Sequence, residues 1–522
     1  CAIPIFEGLF PAGHDAVVQS LLYRFAQWHA LAKLRLHSES TINFLGETFK
    51  QLSQKLRKFR SFTCAAFTTL ELPKEKASRQ QKAAKRSETG GAPAESSGTK
   101  IKTFNLNTYK FHAMGDYVAT IRLFGTTDSF TTQIGELAHR ALKAFYPLTS
   151  KIDTPRQLAK HERRRRVLRR VAEVGISSFG SQSQTDASPS TTSDQHHCIA
   201  TNRNNPVQLF AFLREHTGNP AVKNFLPRLK DHILYRLREL DISYCDHAFT
   251  DVERNSVIIP DNTIYAVQTM QVHYTTYDLR REYDTINPRT HGDIMVLSGE
   301  VTPTHPYWYA RVLGVFHMEV WLNIGGQPMK RDLEVLWVRW FAMLQNYKSG
   351  MDCARLPKIA FVEESDPDAF GFLDPKQVIR GAHVIPAFAS GRGINSLRHG
   401  KSLARPGGEL DDWEEHYVGI FVDRDMFMRY THFGVGHSPL LRKITRDCSE
   451  SVARTDAMDT SNSSNDEDVN HEVVGDGEDY DEFDDDREDS DEECDDESSD
   501  GELLDDNASE GYEDDEFDGF SF

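Results

Sequence analysis

In this chain of 522 residues, the side chains with most capacity for chemistry fall in two neighbouring segments. Between Thr132 and Tyr146 the apolar residues Ile134, Ala138, Ala141, Leu142 and Phe145 recur at helical spacing, which sends Glu136, His139, Arg140 and Lys143 to the opposite face. One face is therefore apolar and the other fully ionisable. By spacing alone the reading is a solvated face held by a Glu136–Arg140 pair worth about 0.3–0.5 kcal/mol. Downstream, Lys160, Arg163, Arg164, Arg165, Arg166, Arg169 and Arg170 place seven cations in eleven residues. On a helix they cover most sides, a pattern that suits phosphate contacts or nuclear import and is indifferent to base sequence.

Weaker candidates surround these. His196, His197 and Cys198 stand in a Ser/Thr/Gln/Asn-rich stretch with no partner pair at ligand spacing, and read as a solvated loop. Ser390–Gly393 holds a lone Gly-Arg-Gly turn, a poor phosphate signal. His29 falls on an apolar helix face and reads as a packed core histidine. Trp308, Tyr309, Trp337 and Trp340 most simply fill a core, with an aromatic cage for a ligand as the sharper alternative. The seven cysteines lie far apart with no C-x-x-C pair, which excludes a zinc-ribbon or disulfide framework and fits a reducing compartment.

The elements that must position these residues follow from hydrophobic periodicity. Residues 1–72 contain two amphipathic helices, one from Ala16 to Leu36 and one after Thr41, expected as a hairpin. Between Pro73 and Lys100 there is no large apolar side chain, so ordering this stretch has no burial to offset its entropy; a flexible basic linker is expected over residues 73–102. Segment 103–176 is helical and carries both charged clusters, 177–205 is expected to be a disordered linker, and 206–245 is helical again. From 250 to 430 the period shifts to β-branched and aromatic runs of strand length, including Thr263–Val272, Tyr307–Phe316 and Glu334–Phe341, which predict a small barrel. Residues 445–522 read as a disordered acidic tail.

Charge is partitioned along the chain. The formal net charge is −19, but residues 451–522 hold 32 acidic residues against two arginines, so this stretch carries −30 and the remainder +11. A basic body and a polyanionic end point to nucleic acid, with the end competing for the body's cations or for a basic partner such as histones. No run of apolar residues long enough to span a membrane occurs.

Longer phrases carry a family resemblance. The stretch Ala119–Lys143 (ATIRLFGTTDSFTTQIGELAHRALK) resembles the end of the transposase region of Plavaka and related Kyakuja-Dileera-Zisupton elements, CACTA-like DNA transposons of mushroom-forming fungi. LFPAGHD, LLYRFAQWHALAKLRLH and TCAAFTTLELPKEKASR upstream are similar to their helical segment. The likeness continues downstream through NPAVKNFLPRLKDHIL, HPYWYARVLGVFH and VDRDMFMRY, over most of residues 8–435. The resemblance implies an α+β chain: the end of an RNase H-like core, then an SH3-like barrel in which HPYWYARVLGVF and EVLWVRWF fall. It implies that Glu136 is the third acidic residue of a two-metal site for Mg²⁺ or Mn²⁺, whose two aspartate partners lie far upstream. Asp116 and Asp128 are too close in sequence to replace them, and the chain begins at Cys1, so a carboxy-terminal portion, inactive on its own, is expected. The expected protein is nuclear and binds DNA through the Lys160–Arg170 cluster. A chromatin-associated interaction protein without nuclease activity is the other reading.

Overall fold

The computed structural model describes residues 2–88, 98–132, 139, 142–178, 195–238, 249–300, 305–324, 327–344, 347–393, 397, 402–405 and 412–448. The acidic stretch 451–522 therefore lies outside the described residues, as do Glu136 and Arg140. Helix and sheet are mixed: the first half is helical, the second is built on an open half-barrel sheet. No described helix is long and apolar enough to cross a membrane.

The expected helical hairpin is Ala12–Ala32 against Glu39–Lys58. Ser38 starts the second helix with a capping box, its hydroxyl accepting from the Thr41 N–H while the Thr41 hydroxyl accepts from the Ser38 N–H. Leu21, Trp28 and Leu31 interlock with Ile42, Leu45, Leu52 and Leu56. The same core takes in Ile121 from the helix Tyr117–Phe124 and Phe427 and Met428 from the late helix Arg424–Arg429, so residues 1–72 are not a free-standing domain. Tyr23 from the first helix joins a second core with Tyr307, Tyr309 and Phe341 of the sheet. His29 is exposed, not core-packed.

The expected flexible linker is corrected over its first half, where Pro73–Glu88 is a helix. Lys, Gln, Ala, Arg and Glu are good helix formers, and the segment's ends are tied down. Thr69–Leu70 pairs with Ile101–Lys102, and the Glu71 carboxylate receives Arg79 at 2.5 Å and the Lys100 N–H at 2.8 Å. The second expected linker is corrected at its end: His197–Ile199 is a strand paired with Met270–Thr275.

The sheet is organised on one long hairpin, Tyr307–Ile324 against Gln327–Met343. Its first strand pairs in turn with Asp293–Leu297, Thr263–Val267 and Val257–Ile258; its second pairs with Phe370–Leu373 and Lys358–Phe361. A bulge between Val312 and Gly314 changes the register. An extra residue reverses which alternate side chains face a given side. Before the bulge, Ala310 and Val312 enter one core while Tyr307 and Tyr309 enter another; beyond it, Val315 keeps the first core and Phe316, Met318, Val320 and Leu322 build a third. Helix Phe225–Leu237 covers that third core with Phe225, Leu229 and Ile233.

Candidate nucleic-acid interface

The basic cluster lies on one long helix, Thr154–Ser178. Lys160, Arg163, Arg164, Arg165, Arg166 and Arg170 are exposed, and Arg169 stands on the same helix with its side chain outside the description. Among the described residues, Arg166 is the member of the cluster that pairs with a carboxylate, Glu162 one turn earlier at 2.5 Å. Arg165 lies over the Phe145 ring at 5.8 Å, and Phe145 stacks on His161, which joins this helix to the preceding one-turn segment Leu142–Phe145. Val167, Leu168 and Val171 interrupt the cations as exposed apolar side chains. Such a surface neutralises phosphates wherever it meets them and reads no base edge.

Of the polar face expected to accompany Glu136, His139 and Lys143 are exposed. Asp116 is exposed too, whereas Asp128 is fully engaged: Arg35 donates to it at 2.9 Å and Arg424 at 3.0 and 3.1 Å. Burial pushes the Asp128 carboxyl up, but the hydrogen bonds from Arg35 and Arg424 outweigh it and hold it below its ordinary value. A metal would have to displace two guanidinium groups there. Among the described residues no three His, Cys, Asp or Glu side chains gather as a metal site.

A second site was not legible as a cluster in the sequence. The half-barrel encloses a cavity of about 1100 Å³ whose wall includes Trp308 and Trp340. Trp340 pairs with Ala310, and Trp308, two residues before Ala310, projects on the same face; the two indoles meet edge to face with centroids 6.3 Å apart. The four aromatic residues expected in the core therefore divide: Tyr309 and Trp337 are buried, while Trp308 and Trp340 line the cavity. Arg236, Arg281, Lys376 and Arg429 are its cations and Asp374 its carboxylate, paired with Arg236 at 2.9 Å. Two imidazole nitrogens of its lining, His232 Nε2 and His273 Nε2, are buried without a hydrogen-bond partner among the described residues. Burial, with the nearby Arg236 charge, pushes His232 down to about 3, so its ring is neutral. His197, expected in a solvated loop, is instead buried with Nε2 2.6 Å from Glu334, while Cys198 is half-buried in the same strand.

Behind the cavity runs a buried ionic network. Arg380 donates to Asp284 at 3.0 Å, Asp423 at 2.8 Å and Asp425 at 3.0 Å, and Asp425 also receives Arg429, His437 and the Tyr277 N–H, each at 2.8 Å. Both guanidinium groups lie over the Tyr274 ring, at 4.5 and 5.3 Å. These residues come from strands Met270–Thr275, Arg281–Ile286 and Val378–Gly381, from the turn after the first of these, and from helix Arg424–Arg429 with the residues on either side of it, and the network pins them together.

No protein-family model, no curated protein and no solved structure matches the chain.

Proposed function

We propose that this chain is a nuclear DNA-binding protein, the carboxy-terminal portion of a Plavaka-like transposase, and that it holds duplex DNA by non-specific phosphate contacts. The observation that carries the binding is the solvent-facing array Lys160, Arg163–Arg166 and Arg170 on one helix, with a single carboxylate partner among the described residues. Cations left without carboxylates keep their charge for phosphates, and releasing counterions from the duplex supplies the affinity. In this reading segment 103–176 is the helical end of an RNase H-like core, the half-barrel is the SH3-like domain that follows it, and Glu136 is the third acidic residue. Mg²⁺ or Mn²⁺ joins Glu136 only where two further aspartates are supplied, since Asp128 is committed to Arg35 and Arg424. Histones are a second partner class, for the acidic stretch 451–522.

Fluorescence anisotropy with a labelled duplex over a salt series tests the binding. Log affinity should fall linearly with log salt and should not depend on the DNA sequence. Absence of duplex binding even at low salt would sink the proposal. In a preparation that cuts DNA once the missing carboxylates are supplied, Glu136→Gln should abolish cutting and leave duplex affinity unchanged.

A further inference from the structure

The half-barrel cavity combines two features that together describe a ligand. Its wall carries a flat indole, Trp308, that remains 37% exposed and is thus open to a stacking partner. On its lining stand Arg281 and Lys376, both exposed and neither in an ion pair among the described residues. A basic peptide would meet these two cations with like sign. A heteroaromatic ring bearing a phosphate satisfies both features: its face stacks on the indole, and its anion sits against guanidinium and ammonium groups.

We propose that this cavity binds a nucleotide, with the base on Trp308 and the phosphate at Arg281 and Lys376, taken either from an unpaired stretch of DNA or as a free mononucleotide. The site uses none of the residues of the basic helix, so it and the duplex-binding reading stand or fall separately. Stacking on one aromatic side chain is tolerant of base identity, so the site should accept any base.

The test titrates the full chain with a short deoxythymidine oligomer carrying a central 2-aminopurine, whose emission falls when the base stacks, and in a parallel arm follows tryptophan emission with dAMP. Saturable quenching in the oligomer arm alone assigns the site to unpaired DNA; saturable quenching by dAMP assigns it to a free nucleotide. Trp308→Ala should weaken whichever ligand binds by about 5- to 100-fold, and Trp308→Phe should recover part of the loss. Arg281→Gln should weaken it too and lower its salt dependence. Trp308 and Arg281 are both solvent-accessible, and an unchanged melting temperature in each variant separates a lost contact from a lost fold. No saturable quenching in either arm, or quenching equal in the wild type and in a folded Trp308→Ala variant, overturns the proposal. Quenching that persists when duplex binding is absent leaves this site standing and refutes the basic-helix reading.

Discussion

Asp425 accepts from Arg380, Arg429 and His437 with almost no access to water, so its charge is held by partners and not by solvent. Burial pushes this carboxyl up, but the His437 hydrogen bond and the Arg429 and Arg380 charges outweigh it and hold the group at about 2. Asp425→Asn leaves two buried guanidinium groups under-compensated and should cost about 3–5 kcal/mol in denaturant unfolding; a loss below about 1 kcal/mol would show that Asp284 and Asp423 alone balance Arg380. Acid acts at the same scale through histidines. Burial holds His305 and His416 at about 4 and His232 at about 3, well below the ordinary 6.5. Each folded-state value is depressed, so the unfolded chain takes up protons first; the stabilisation is full above 6.5 and is lost as pH falls towards 4. Asp425 adds a further loss below its unfolded value, down to about 2. The melting temperature should therefore decline from pH 7 to 4, and His416→Asn should flatten that decline; an identical slope in the variant would rule out His416 as a contributor.

At the scale of elements, the hairpin bulge and the basic helix make separable predictions. A Cβ at Gly314 would lie 2.8 Å from two atoms of the Phe316 ring, which is itself packed in the core under helix Phe225–Leu237. Gly314→Ala should destabilise the protein by about 1–3 kcal/mol, and the companion Phe316→Leu should relieve part of that cost by removing the obstructing ring. Additive effects of the two substitutions would mean that the bulge, not the ring, resists the methyl group. On helix Thr154–Ser178, replacing Arg163, Arg164, Arg165 and Arg170 by Gln should leave folding intact because these side chains are exposed. It should lower the number of neutralised phosphates by up to about four, each worth about 0.9 in the slope of log affinity against log salt. Loss confined to one DNA sequence, or an unchanged slope, would move the phosphate site elsewhere.

For the whole molecule the governing quantity is the charge partition, −30 over residues 451–522 against +11 for the rest. A polyanionic stretch on the same chain lowers the attraction between the basic body and DNA, and salt screens that effect over about 10 Å at 0.1 M. Deleting residues 451–522 should tighten duplex binding most at low salt, with the two proteins converging as salt rises. Equal affinities at low salt would leave that stretch a role in solubility or in holding a basic partner.

Features set by neighbours in the chain were legible in the sequence. The apolar period of Ala12–Ala32 and Glu39–Lys58, the cation run on Thr154–Ser178 and the strand character of Tyr307–Phe316 each depend on residues a few positions apart. Charge partition needs only counting. Where local composition misled, distant groups had intervened: Pro73–Glu88 reads as a linker because it holds no large apolar side chain, yet Glu71 and the Ile101–Lys102 strand close it from outside. His197 looked solvated until pairing with Met270–Thr275 brought it to Glu334. Trp308 and Trp337 are alike in sequence, and only the strands beside each decide that one faces a cavity and the other a core. The Arg380 network and the cavity cations come from segments up to more than a hundred residues apart, whose meeting depends on strand register and on a bulge. One-dimensional spacing fixes which face of an element a side chain occupies; what that face meets is a property of the closed chain alone.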